Sequence, residues 1–222
     1  MHRWDVTPRE AVAIQRELAT KVRQEPLTAA IKTIAAADCA FIGKNRIVAA
    51  AVLCDARTLK QIECAYVHQS LAFPYVPGLL SFREAPAVIE AVRQLSAADL
   101  LMIDGQGIAH PRGLGIACHV GLWLDMPTIG VAKSRLCGTH RNPAAARGRK
   151  CNLMYDGKPV GVVLRTQDNV KPLYVSPGHR VTMNDCVRYV LRAARKYRLP
   201  EPSRLAHHLV TMRKKQLVQE SG

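Results

Sequence analysis

ADLLMIDGQGIAHPR, residues 98–112, joins a short apolar run (Leu100, Leu101, Met102, Ile103) to a carboxylate, Asp104. Gly-Gln-Gly and His110-Pro111-Arg112 follow at once. Four successive apolar residues between polar and glycine neighbours predict a strand buried on both faces, as in a parallel sheet. Packing does not require an acid where such a strand stops. An acid there lies at the carboxyl edge of the sheet, where open α/β folds place their chemistry. Asp-Gly is also an ordinary turn pair, so the surrounding elements must decide between the two readings.

Downstream, the pattern predicts a helix from about Pro111 to Leu124 and a second buried strand, Thr128 to Ala132, ending at Lys133. Upstream, Ser81 is expected to cap a helix whose apolar stripe includes Ala85, Val88, Ile89, Val92 and Leu95. Before it, the β-leaning runs 31–42, 46–54 and 61–71 are separated by short turns, which implies an antiparallel meander. Thr7-Pro8-Arg9-Glu10 opens an N-terminal helix with a capping box and a proline at the first helical position. Residues 138–157 read as a basic surface loop, followed by a hairpin-like pair at 159–165 and 173–176. Thr182 to Asp185 caps a helix running to about Arg198, and Pro200-Glu201-Pro202 starts a last helix ending in a basic tail, 213–222. No internal repeat or Ser/Gly linker interrupts the chain, so one catalytic domain over 1–222 is expected, with 1–26 as its N-terminal helical segment. Three antiparallel strands followed by parallel strands with helical crossovers is the order of an α/β, ribonuclease H-like fold, a mixed central sheet flanked by helices.

The 222 residues carry 32 Lys and Arg against 17 Asp and Glu, a net charge of +15. Such a surplus favours a polyanionic partner, nucleic acid before an anionic membrane. The longest apolar run, Ile47 to Cys54, is too short to span a bilayer. The N-terminal residues show no apolar signal-peptide core. Seven cysteines form no CxxC pair, which suits reduced thiols and argues against a zinc site. The expectation is a cytoplasmic protein without a membrane partner.

Asp38 falls within the first strand run, where a bare carboxylate costs several kcal/mol or more to bury unless a cation holds it. In the deduced fold that strand lies beside the one ending at Asp104, so the two carboxylates meet. Glu84, expected in the first helical turn after the proline-rich loop, reaches the same edge. Carboxylates converging without a basic partner repel one another, and a hard divalent cation resolves this. Mg²⁺ takes only one or two protein carboxylates and leaves places for phosphate oxygens and water. One metal, or a pair roughly 3.5–4 Å apart, then supports in-line phosphodiester hydrolysis. Lys133 ends its strand as Asp104 does and can hold a phosphate or transition-state charge. His110, expected at a helix start, can polarise a phosphate or assist proton transfer. In FPYVPG (73–78) two prolines stiffen the loop that presents Tyr75. A rigid aromatic can stack on a base, worth about 1–3 kcal/mol, or wedge into an opened duplex.

The blocks FPYVPGLLSFRE, DLLMIDGQGIAHPRGLGIACHVGL, PTIGVAKSRLCG, SPGHRVT and YRLPEPSRLAH resemble, in this order and spacing, the endonuclease V family over about Ile31 to His207. The resemblance implies a ribonuclease H-like fold and an Mg²⁺-dependent nuclease, with Mn²⁺ as substitute, that repairs deaminated bases. It implies a nick at the second phosphodiester 3′ to deoxyinosine, leaving 3′-hydroxyl and 5′-phosphate ends. By the same resemblance Asp38 and Asp104 are the metal-binding aspartates, Glu84 the catalytic glutamate, and Tyr75 the wedge that fills the gap left by the flipped base. His110 and Lys133 lie near the scissile phosphate. The base pocket involves Leu80, Gly105, Gly115, Ile116 and Gly130. In RLAHHL, motif alignment selects His207 as a further site residue, whereas helical spacing puts His208 on a face with Leu205 and Met212. The family's glycine-histidine-glycine is Gly105-Gln106-Gly107 here, and its Gly-Asp-Val is Ala37-Asp38-Cys39; neither change removes a metal carboxylate. The expected partner is inosine-containing DNA acted on by a monomer, with single-stranded nucleic acid or inosine-containing RNA as the alternative. A non-catalytic binding module of the same fold would need no carboxylates facing phosphates, and a resolvase-like nuclease would not need the wedge loop and base-pocket glycines.

Overall fold

A computed structural model describes residues 2–220. Its elements are α1 (Pro8–Ala19), β1 (Thr33–Ile42), β2 (Arg46–Asp55), β3 (Gln61–Ser70), α2 (Leu80–Arg93), β4 (Leu100–Ile103), α3 (Ile116–Leu124), β5 (Thr128–Ala132), β6 (Lys150–Tyr155), β7 (Lys158–Leu164), β8 (Leu173–Pro177), α4 (Met183–Ala193) and α5 (Glu201–Gln219). The strands form one mixed sheet in the order β3-β2-β1-β4-β5-β8-β7-β6. β1, β2 and β3 are an antiparallel meander, while β4 runs parallel to both β1 and β5. All four residues of β4 are buried, as a strand covered on both faces requires.

Alternation along β1 divides the core between the two faces. Ala35 and Ala37 pack with Ala85, Val88 and Ile89 of α2 and with Ala117 and Val120 of α3. Ile34 and Ala36 pack toward Val190 of α4 and Ala206 of α5. The small side chains of β1 and β2 let these helices approach closely. The next residues in the same alternation are Asp38 on the α5 face and Cys39 on the α2 face.

Thr7 caps α1 and Thr182 caps α4, each with the full reciprocal capping box. Several expectations need correction. α2 starts at Leu80 with Leu79 at its N-cap, so Ser81 lies inside the helix and caps nothing. Glu84 therefore belongs to the second turn of α2. α3 starts at Ile116, because Pro111-Arg112-Gly113 closes a turn in which the Gly113 N–H donates to the His110 carbonyl at 2.8 Å; His110 is not at a helix start. The stretch 138–157 contains a strand, β6, joined to β7 by Asp156-Gly157, both at positive φ (47° and 71°) as a tight hairpin requires. α4 stops at Ala193, and residues 213–219 of the basic tail are helical, with Leu217 buried. Residues 221 and 222 of that tail lie outside the described residues. Among the described residues no helix is long and apolar enough to cross a membrane.

The loop after Asp104 folds back between strands. A side chain at Gly107 would overlap the Pro177 carbonyl, which instead accepts from the Ile108 N–H at 2.7 Å. Gly107→Ala is expected to destabilise the protein by about 3 kcal/mol through this overlap, measured as a fall in the urea midpoint at unchanged slope.

Candidate active site

The parallel register pairs Ala37 with Ile103, so Asp38 and Asp104 are the next residues along neighbouring strands. α5 crosses the same face and adds His207, whose Nδ1 lies 2.7 Å from Asp38 Oδ2. One donor atom from each of Asp38, Asp104 and His207 lies within 4.8 Å of the other two. Of the two adjacent histidines, His207 is the one that joins this cluster. His208 is exposed, beside Met212, which is 45% exposed.

Asp38 Oδ1 accepts the Cys39 N–H at 2.8 Å. Burial, and then repulsion by Asp104, raise the Asp38 carboxyl above its usual range, against the lowering effect of His207. Contrary to expectation, the carboxylates do not lack a basic partner: Lys133 Nζ is paired with Asp104 Oδ2. Lys133 is itself held by its backbone. Arg198 Nη2 donates to the Lys133 carbonyl at 3.1 Å, and Gln106 Nε2 donates to the Ser134 carbonyl at 2.9 Å. Glu84 is buried on the α2 side, and burial raises its pKa to about 8, with Asp38 and Asp104 adding to the rise and the Cys39 thiol opposing it. Two carboxylate oxygens and an imidazole nitrogen this close together suit a divalent cation. The raised Asp38 and Glu84 mark the electrostatic deficit that such a charge would relieve.

Beside this cluster a cavity of about 420 Å³ opens between Tyr75 and Leu80 on one side and Lys133 on the other, with Gly105, Gly115 and Ile116 along its wall. Tyr75 is 71% exposed. Gly130 does not line the cavity; it lies beneath the 105–107 backbone and leaves room for it. His110 is buried in the wall with both ring nitrogens engaged: Nε2 donates to the Gly78 carbonyl at 3.0 Å and Nδ1 accepts the Arg112 N–H at 3.1 Å. Burial first, then the Arg112 charge, lower its pKa to about 4. The Gly78 carbonyl also accepts from Gln15 Nε2 at 3.0 Å and Arg112 Nη2 at 2.6 Å. Three donors thus fasten the end of the Tyr75 loop to α1 and to the His-Pro-Arg turn.

Sequence reasoning missed Gln15, Arg112 and Arg198. Gln15 had left a sign, a polar residue on the buried stripe between Ala11 and Leu18 of α1.

A model of the endonuclease V family matches residues 16–208. The chain belongs to the endonuclease V family. It is 47% identical to the endonuclease V of Methanothrix thermoacetophila over 209 residues, covering 94% of this chain and 93% of that protein. It is 46% identical to that of Nostoc punctiforme over 213 residues, covering 95% and 96%. The crystal structure of the Streptomyces avermitilis endonuclease V superimposes with a TM-score of 0.92 at 39% identity, covering 97% of this chain and 96% of that one. Human endonuclease V gives a TM-score of 0.89 at 30% identity, covering 96% and 100%. The fold is that of this family, and the protein is a nuclease.

A carboxyl whose folded-state pKa is about 8 keeps a proton that the unfolded chain releases near pH 4.5. Stability is therefore lost as pH rises between those values. In metal-free buffer, Glu84→Gln is expected to melt higher than wild type, with the difference growing from pH 5 to pH 8 and levelling above it. Melting curves across that range check this.

Proposed function

We propose that this endonuclease V recognises deoxyinosine and hydrolyses the second phosphodiester 3′ to it in the presence of Mg²⁺, leaving 3′-hydroxyl and 5′-phosphate ends. One observation carries the reading: a base-sized cavity edged by an exposed aromatic shares Asp104 with the Asp-Asp-His cluster and is also lined by Lys133, the partner of Asp104. A flipped base held in the cavity leaves its backbone beside the carboxylates. The endonuclease V of Ciona intestinalis, alike in fold, was crystallised with a 24mer DNA containing an inosine followed by a ribo-adenosine, which supports inosine as the base and calls for an RNA arm in the test.

Asp38 and Asp104 would hold the ion, and His207 would complete the set or orient Asp38. Bound there, Mg²⁺, or Mn²⁺ in its place, supplies a polarised phosphate oxygen and a more acidic water. Glu84, protonated while the cluster holds no cation, would be ionised beside a bound positive charge and is then the buried carboxylate placed to take a proton from the attacking water. Lys133, released from Asp104 toward the phosphate, offsets charge that develops on its oxygens. Tyr75 fills the space vacated in the base stack. His110, neutral and fully engaged, acts as a positioning residue that fixes the wedge loop through Gly78. Gly105, Gly115 and Ile116 expose backbone groups to the base, and Leu80 packs on it.

End-labelled DNA and RNA strands, each with one inosine or none, are incubated with Mg²⁺ and the nicks mapped. Inosine-dependent cutting one nucleotide beyond the lesion's own 3′ phosphodiester is expected. Asp38→Ala and Asp104→Ala should lower the rate at least about 100-fold. Tyr75→Ala should keep the melting temperature and lose about tenfold in inosine-dependent kcat/KM, the scale of one stacking contact. Cutting that is equal with and without inosine would reject the reading.

A further inference from the structure

Ser81 lines the cavity and is 3% exposed. Its Oγ lies 3.0 Å from Nδ1 of His119, which is fully buried on α3. His119 Nε2 lies 2.7 Å from His2 Nε2, and His2 Nδ1 lies 2.6 Å from the Arg3 carbonyl. The indole N–H of Trp123 also donates to His2 Nε2 at 3.4 Å. Trp4, stacked on Trp123 with centroids 4.9 Å apart, and Phe82 enclose the pair of imidazoles.

The direction of every proton in this chain follows from its ends. A carbonyl oxygen only accepts, so His2 Nδ1 carries a hydrogen. An indole N–H only donates, so His2 Nε2 is bare. The hydrogen between the two imidazoles must then sit on His119 Nε2. Burial lowers the His119 pKa to about 3, so the ring is neutral and its Nδ1 is bare. Ser81 therefore donates its only hydrogen to His119, and its Oγ keeps lone pairs alone for any other neighbour.

We propose that Ser81 is a specificity-determining residue, an obligate acceptor at the base cavity that selects bases bearing an imino N–H. The proposal rests on the reading of the cavity as the site of the flipped base. Hypoxanthine carries a hydrogen at N1, whereas adenine presents a lone pair there. Oγ accepts from the first and repels the second, and a hydroxyl free to rotate would serve both. The His2–His119 relay removes that freedom. Discrimination thus reaches from the N-terminal residues to the first turn of α2.

Two measurements test this. Wild type and Ser81→Ala are compared on strands carrying inosine or an unsubstituted purine deoxynucleoside, whose N1 is bare. Ser81→Ala should lower kcat/KM on inosine about tenfold, the scale of one lost hydrogen bond, and raise it on the purine strand, where a repulsion is removed. A purely structural defect lowers both alike, and equal loss or no loss overturns the proposal. Long-range proton–nitrogen spectra of the wild-type protein read the relay itself, whatever the enzyme cuts. A hydrogen on His119 Nε2 and a bare Nδ1 are expected, and the opposite tautomer overturns the proposal. Failure of wild type to cut inosine strands, with that expected tautomer present, rejects the function and with it the base this acceptor would read. His2→Ala should release the tautomer and reduce the inosine-to-purine ratio part of the way.

Discussion

Everything at the candidate site depends on one electrostatic conflict, the placement of two carboxylates on adjacent parallel strands. Backbone pairing of Ala37 with Ile103 leaves Asp38 and Asp104 side by side, and the ladder cannot relieve their repulsion without giving up its register. The surroundings answer from three directions. α5 supplies His207, the end of β5 supplies Lys133, and a carboxyl on α2 that would worsen the conflict stays protonated. Each answer is reversible. Lys133 can leave for a phosphate and a cation can take its place, so the resting arrangement is a store of charge organised for a polyanion. The +15 balance of the whole chain has the same sense.

The two faces of the sheet divide the work. The α2 and α3 face carries Leu80, Ser81, Gly115 and Ile116, which shape the cavity. The α5 face carries the histidine that completes the acidic cluster. A period-two strand is what allows this, because Asp38 and Cys39 face opposite layers within two residues. Loops on the same edge then close the distance. Backbone of residues 105–107 passes over Gly130 and under Pro177, and the close contacts there leave room for hydrogen alone at Gly107.

Much of this was legible in the sequence because it obeys short-range rules. The buried strand ending at Asp104, the meander, both threonine capping boxes and the parallel order of β1, β4 and β5 follow from periodicity and turn chemistry. The Asp38–Asp104 meeting followed from that order. What escaped was set by tertiary contact. Ser81 looked like a cap but its hydroxyl goes to His119, a partner on another helix. β6 was hidden by the basic composition around it, although Asp156-Gly157 carried a strong hairpin signal. His207 and His208 cannot be separated by spacing, since the apolar residues that share a face with His208 differ: Leu205 packs against the core whereas Met212 is exposed. Gly130 matched a motif for the pocket yet serves the loop above it.

The fastening of Gly78 bears on how this protein searches for a substrate. Its carbonyl accepts from Gln15, His110 and Arg112, so the segment that presents Tyr75 is ordered before any nucleic acid arrives. A segment already ordered loses little conformational entropy on contact. On the proposed reading, the three hydrogen bonds let the wedge test a base pair without first ordering its own loop.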